Sequence, residues 1–115
     1  MLIFDFKTGS PHPASELQLA AYSMLVKEGI GEDGKKFMDR ENKNAFEVRL
    51  YHPIWQFAGT IDMVIDDGKN TVEAFALYLK DNGKYSLSPV KDIRKNLEMF
   101  LQFLNTEKWK RQKGL

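Results

Sequence analysis

The chain has 115 residues, of which 43% are hydrophobic and 29% charged, and its formal net charge is +1. This composition is typical of an ordinary globular protein and excludes a disordered chain, so we expect residues 1–115 to form a single domain. The near-neutral charge argues against a strong basic footprint but leaves room for a local basic groove. The chain has no cysteine, which excludes disulfides and thiolate metal sites. No apolar run approaches the roughly 20 residues of a membrane span, so we predict a cytoplasmic protein with no membrane partner.

The first segment, residues 1–9, is an apolar strand that contains an acid and a base. With the strand period of two, Asp5 and Lys7 point to the same face as Ile3. Desolvating an ionised carboxylate costs several kcal/mol unless a partner compensates for it. Asp5 is therefore a candidate for an ion pair, a metal ligand or a catalytic acid.

A break at residues 9–13 separates this strand from a predicted helix. Ser15, followed three residues later by Gln18, has the form of a capping box, so we predict that the helix begins there. Apolar residues recur at helical spacing from Leu17 onward, and the helix is expected to end near Gly29. Residues 30–45 predict a loop with a short ordered piece around residues 36–38.

Four further strands and a second helix are predicted from the remaining sequence. Residues 46–51 and 58–65 are strand-like, and residues 72–80 and 84–90 flank the Asn82-Gly83 hairpin signal. Asp92 can cap the final helix. The order β-α-β-β-β-β-α predicts an α/β (α+β) fold with a mixed, mostly antiparallel central sheet flanked by helices. His12 and His52 each lie beside a proline, and we predict both to be surface residues and not metal ligands.

A second acid, Asp62, ends the segment Gly59-Thr60-Ile61-Asp62 within a strand. Alternation puts Asp62 on the same face as Thr60 and Val64, with Ile61 on the other face. If this strand pairs with the first, Asp62 and Asp5 can converge on one cation. The Phe6 carbonyl and waters would then complete the octahedral oxygen shell that Mg²⁺ prefers.

Such a centre, with Lys7 facing the same point, is suited to hydrolysing phosphodiester bonds. The metal would stabilise the charge that develops on the phosphate, while the lysine orients or deprotonates the attacking water.

Three segments carry a resemblance to a known family: Gly59-Thr60-Ile61-Asp62, Asp5-Phe6-Lys7-Thr8-Gly9 and Gln18-Leu19-Ala20-Ala21-Tyr22. They resemble the G-x-x-D, D-x-K-T-G and Q-x-x-x-Y motifs of the PD-(D/E)xK nuclease superfamily, in its RecB-like and phage-exonuclease-like branch. The resemblance implies a restriction-endonuclease-like fold and Mg²⁺-dependent (or Mn²⁺-dependent) cleavage of DNA, as an exonuclease or recombination-type nuclease.

The same resemblance assigns roles to individual residues. It implies Asp62 and Asp5 as metal ligands and Lys7 as the catalytic lysine. It also implies that Gln18 and Tyr22 line the site and help to position the nucleic acid or the attacking water. Glu47 is a looser candidate for an outer acid.

The motif order is rearranged relative to the family, in which the G-x-x-D strand precedes the D-x-K strand and the Q-x-x-x-Y helix. Here the last two come first. Keeping the usual sheet order in one chain would need a crossover of the disfavoured hand between the helix and the strand at Glu47. We therefore expect either an unusual path for the loop 30–45 or a homodimer with exchanged elements, in which two chains build each site.

Two other classes of protein stay open on the sequence alone. The first is a catalytically inactive nucleic-acid-binding or dimerisation module derived from such a nuclease. The second is a small structural or partner-binding protein in which Asp5 and Lys7 pair only with each other. For single residues, a capping box alone explains Gln18, and core packing alone explains Tyr22. The discriminating feature is whether Asp5, Lys7 and Asp62 meet at one point.

Overall fold

The chain forms five strands and two helices in a computed structural model, which describes residues 1–9 and 11–114. In chain order they are β1 (Leu2–Thr8), α1 (Pro13–Glu28), β2 (Ala45–His52), β3 (Phe57–Ile65), β4 (Glu73–Leu79), β5 (Tyr85–Pro89) and α2 (Ile93–Lys113). A short 3-10 helix, Phe37–Asp39, lies between α1 and β2. Ser10, part of the predicted break, and Leu115 lie outside the described residues. The element order β-α-β-β-β-β-α confirms the prediction.

All five strands belong to one sheet with the order β2-β3-β1-β4-β5. β1 runs antiparallel to β3 and parallel to β4. The outer pairs β2–β3 and β4–β5 are both antiparallel. The sheet is therefore mixed and mostly antiparallel, as predicted, and β1 with its acid and base is the central strand.

Helix α1 covers one face of the sheet and buries the core there. Ile3 of β1 and Leu25 of α1 are both fully buried, and Asp5 lies on the same face as Ile3. α2 has no buried residue of its own and packs along α1. Its Phe100 meets Phe57 edge to face with ring centroids 5.0 Å apart. Within the described chain, neither helix combines the length and apolar character needed to span a membrane.

Helix α1 begins at Pro13, two residues before the predicted start. The Nδ1 atom of His12, which is exposed as predicted, accepts a hydrogen bond from the Ala14 N–H at 3.0 Å and caps the helix. Pro13 suits the first helical turn because it has no N–H that would need a partner there. Ser15 and Gln18 thus lie inside the helix, so the capping-box prediction is wrong and the Gln18 side chain is free for other contacts.

His52 is buried, with 3% of its surface exposed, so its prediction as a surface residue is wrong. The turn between β2 and β3 has backbone N–H groups that need acceptors. The Nδ1 atom of His52 accepts from the N–H groups of Ile54 and Trp55 at 3.3 and 3.1 Å. The ring proton therefore sits on Nε2, which donates to Glu28 Oε2 at 3.2 Å.

The connection from α1 to β2 takes the chain past β3 to the edge of the sheet. Ile30 and Tyr51 exchange two backbone hydrogen bonds of 2.9 Å, which fix the start of this loop beside β2. Phe37 is fully buried in the core and anchors the middle of the loop. This is the first of the two predicted solutions, since one chain completes the sheet. The structure gives no support to an exchange of elements between two chains.

Replacing Phe37 should therefore destabilise the whole domain. We expect Phe37→Ala to lower the free energy of unfolding by about 3–5 kcal/mol, the usual cost of emptying a buried phenylalanine site. Urea denaturation followed by circular dichroism measures this change. The matched control is Phe103→Ala in α2, where the side chain is 62% exposed and the expected loss is below about 1 kcal/mol. Equal losses in the two variants would contradict this role of Phe37.

Candidate metal centre

Strands β1 and β3 separate at a pair of acids. Their pairing runs from Leu2 opposite Ile65 to Phe4 opposite Met63 and stops there. Asp5 and Asp62 are the next residues in this register. The N–H of Phe6 donates to Asp62 Oδ2 at 2.8 Å, where a regular ladder would offer a backbone carbonyl. The Asp62 side chain thus spans the gap at the point where the two strands part.

The predicted alternation of β3 fails at this point. Ile61 and Val64 are three positions apart, yet both are buried, which strict period-two alternation does not allow. The prediction that Ile61 faces away from Val64 is therefore wrong. On β2, Glu47 lies between the pairs Phe46–Met63 and Val48–Ile61 and has a positive φ of 49°. Left-handed backbone on one strand and a lost alternation on the other form a local irregularity beside Asp62.

Asp5 is buried, with 6% of its surface exposed. Asp62 lies beside it, since the Asp62 carboxylate accepts from the N–H of the next residue, Phe6, at 2.8 Å, and Asp5 Oδ2 is 2.7 Å from Lys7 Nζ. The Lys7 contact is an ion pair with poor hydrogen-bond direction, so Oδ2 has no hydrogen-bond partner among the described residues. Burial first, and the Asp62 carboxyl second, raise the pKa of Asp5 above its ordinary value against the opposing effect of Lys7.

Helix α1 holds Lys7 from the opposite side. Lys7 Nζ donates to Gln18 Oε1 at 2.6 Å, and Gln18 Nε2 donates to Tyr22 Oη at 3.0 Å. Gln18 and Tyr22 are four positions apart and so share one helix face. Burial first, and then the charges of Asp5 and Asp62, raise the pKa of Tyr22. Its hydroxyl therefore stays protonated at neutral pH and can act as a donor.

Gly59 makes room for the Tyr22 ring. A Cβ atom at Gly59 would lie 2.6 Å from Tyr22 Cε1 and 3.3 Å from Leu25 Cδ1, and the first distance is shorter than carbon atoms tolerate. The sequence identified Gly59 only as a motif position, and the contact gives its physical reason. Through Gly59 and Tyr22, strand β3 supports the same helix face that holds Lys7.

The five predicted site residues thus form one connected group: Asp5, Lys7, Gln18, Tyr22 and Asp62. Glu47 does not join them. In residues 1–9 and 11–114, no three or more His, Cys, Asp or Glu side chains come close enough to share a metal ion. The sequence did not predict the Phe6 N–H as a donor to Asp62, because a backbone group gives no sequence signal.

The carboxyl pair fits a hard divalent cation. Asp5 and Asp62 offer oxygen ligands from two adjoining strands, and Asp5 Oδ2 has no hydrogen bond among the described residues. Two neighbouring carboxylates repel each other, and the single lysine beside them balances only one of the two charges. A cation between them would remove this repulsion.

No protein family, curated protein or solved structure matches this chain. The function is therefore inferred from the geometry of these residues and from the motifs that they form.

The contact between Gly59 and Tyr22 predicts a non-additive pair of substitutions. We expect Gly59→Ala to lower the free energy of unfolding by about 1–3 kcal/mol, because the new methyl group overlaps the ring. In a Tyr22→Ala background the same change should cost less than about 0.5 kcal/mol, since the ring is gone. Urea unfolding of the two single variants and the double variant completes the cycle. An equal cost of Gly59→Ala in both backgrounds would rule out the contact.

The raised pKa of Asp5 predicts a pH-dependent stability difference. An acid whose pKa is raised in the folded state binds its proton more tightly there than in the unfolded chain. The wild-type free energy of unfolding should therefore fall as pH rises through the window above 3.8, the ordinary pKa of this group. Asp5→Asn removes this titration.

We accordingly expect Asp5→Asn to be more stable than the wild type at neutral pH in metal-free buffer, with an advantage that shrinks as the pH falls toward the ordinary pKa. Urea denaturation across this range measures the difference in stability between the two proteins, from which the contributions of acids remote from Asp5 cancel. Asp81→Asn, at an exposed turn position, is the control. A difference that does not change with pH would show that Asp5 has an ordinary environment.

Proposed function

We propose that this chain is a metal-dependent nuclease with a restriction-endonuclease-like fold, related to the PD-(D/E)xK superfamily, that hydrolyses DNA phosphodiester bonds as an exonuclease or recombination-type nuclease. The observation that carries the proposal is the meeting of Asp5 and Asp62 beside Lys7 at the point where β1 and β3 separate. The structural or partner-binding class, in which Asp5 and Lys7 pair only with each other, does not account for the position of Asp62 beside them, where it accepts from the Phe6 N–H.

Asp5 and Asp62 would hold Mg²⁺ or Mn²⁺. Asp5 Oδ2 is buried and has no hydrogen bond among the described residues, although Lys7 Nζ lies 2.7 Å away, and this supports the assignment. When bound, the cation supplies positive charge to the phosphate and lowers the pKa of a coordinated water. The carboxylates of this chain fix the position of that charge relative to Lys7.

Lys7 would act on the attacking water or on a phosphate oxygen. Its ammonium group has three N–H donors. One of them bonds to Gln18 Oε1, and the group also forms an ion pair with Asp5 Oδ2. Because the Lys7 side chain is 26% exposed, a remaining donor can reach a bound substrate. Gln18 and, through it, Tyr22 are positioning residues, since they fix Lys7 and do not themselves need to touch the phosphate.

The neighbourhood of the strands also supports a relationship to the family. The strand with the G-x-x-D segment lies directly beside the strand with the D-x-K segment, as a shared metal site requires. This holds although the two segments occur in the reverse order along the chain.

Digestion of linear and circular DNA in the presence of Mg²⁺ or Mn²⁺ tests the proposal. We expect the wild type to cleave DNA, and EDTA to abolish cleavage. Asp5→Asn, Asp62→Asn and Lys7→Ala should each reduce the rate by at least about 100-fold, because each removes a charge placed for the reaction. The controls Asp81→Asn and Lys27→Ala change exposed residues of the same types and should leave the rate unchanged.

Two results would contradict the proposal. Cleavage that is equal in all variants would point to a contaminating nuclease. Retarded migration of DNA in a gel shift, with no cleavage under any metal condition, would instead favour the inactive nucleic-acid-binding module.

Cleavage of linear DNA alone would assign an exonuclease, whereas cleavage of closed circular DNA would assign an endonuclease.

A further inference from the structure

On the side of the sheet away from α1, the part formed by β1, β4, β5 and the end of β3 is apolar and lacks a covering element among the described residues. On β1 it presents Phe4, which stacks on Phe75 of β4 with ring centroids 5.3 Å apart. Along β1, β4 and β5, alternation leaves Glu73 as the one charged side chain on this face. On β1, β3, β4 and β5, five large apolar residues of this face are substantially exposed: Phe6 46%, Ile65 38%, Leu79 57%, Tyr85 70% and Leu87 47%.

The exposed area is larger than a monomer of this size usually has. A monomeric protein of 13.3 kDa is expected to expose about 6,400 Å². This chain exposes 7765 Å², an excess of about 1,300 Å² over that expectation. A standard protein interface buries about 800 Å² on each partner. The smallest dimension of the chain is 22 Å. Because stacked layers lie about 10 Å apart, this is about the thickness of a sheet covered by helices on one face only.

We propose that this face, termed the free sheet face, is a homodimer interface in which two copies of the chain pack sheet against sheet. A surface that meets its own copy across a two-fold axis needs no complementary partner, and an apolar surface without a charge pattern satisfies this condition. A partner with a charged surface would have only Glu73 as a complementary charge on β1, β4 and β5. Two twisted sheets pack face to face with a core about 10 Å thick, which their interdigitating side chains fill.

The proposed dimer leaves both candidate metal centres open. Asp5 and Lys7 point to the opposite face of β1 from Phe4 and Phe6. Each copy keeps its own five site residues, in contrast to a dimer with exchanged elements. The proposal is therefore independent of the proposed nuclease activity.

Sedimentation equilibrium of the full chain over about 1–100 µM, the range of a moderate protein affinity, tests the proposal. We expect the wild type to approach twice the mass of 13.3 kDa. The variant Leu79→Lys/Leu87→Lys places two charges on the free sheet face and should weaken the dimer by at least about 100-fold, because each lysine would be buried without a partner. Ile65→Lys provides a second variant on another strand. Circular dichroism verifies that each variant is folded.

The matched control is Phe103→Lys in α2, which makes the same kind of change at a side chain that is 62% exposed. This variant should remain as dimeric as the wild type. A wild-type chain that stays monomeric over the whole range would overturn the proposal. A dimer that persists in both free-sheet-face variants, or that Phe103→Lys dissociates, would also overturn it, because the interface would then lie elsewhere.

Discussion

The approach of two carboxyl groups, Asp5 and Asp62, is the constraint on which the rest of the structure depends. Two acids that face each other in a partly buried place repel and lose hydration, so they persist only with compensating contacts. The Lys7 ammonium and the Phe6 N–H provide these contacts in the structure. Neither fully satisfies the pair, since Asp5 Oδ2 has no hydrogen bond among the described residues. An arrangement of this kind lowers stability, and the proposed metal site would account for its presence.

The surrounding elements serve to hold this pair in place. β1 leaves β3 just after Phe4, which opens the gap that Asp62 spans. Helix α1 then lies over the gap, with Gln18 bonded to Lys7 and Tyr22 packed on Gly59. Under the proposed relationship to the PD-(D/E)xK superfamily, the reversed order of the motifs changes the connections between these elements without separating them. The buried Phe37 shows how the long loop is held in the path that this connectivity requires.

Local structure could be predicted from the sequence because its signals are local. The apolar alternation of β1, the Asn82-Gly83 turn and the Asp92 cap each gave an element that the structure contains. The start of α1 was predicted wrongly because two capping signals overlap, and the cap at His12 with Pro13 prevails over Ser15 with Gln18. The five site residues were found as motif members, but the motifs gave no physical reason for Gly59.

Tertiary features could not be read from the chain in the same way. The burial of Ile61 and Val64 on one strand depends on an irregularity that only the pairing with β2 reveals. His52 was predicted as exposed because proline-flanked turns usually are, yet the neighbouring backbone N–H groups draw its ring inward. The free sheet face was not apparent either, since the alternating strand pattern does not tell which face a helix will cover.

The most direct test of the central claim is Mn²⁺ binding, measured by electron paramagnetic resonance and isothermal titration calorimetry without any DNA. The account predicts one bound cation per chain in the wild type. It predicts at least about tenfold weaker binding in both Asp5→Asn and Asp62→Asn, because each removes one of the two carboxylate ligands. A wild-type chain that binds no Mn²⁺, or two variants that bind it as tightly as the wild type, would contradict the claim that these acids form a metal site.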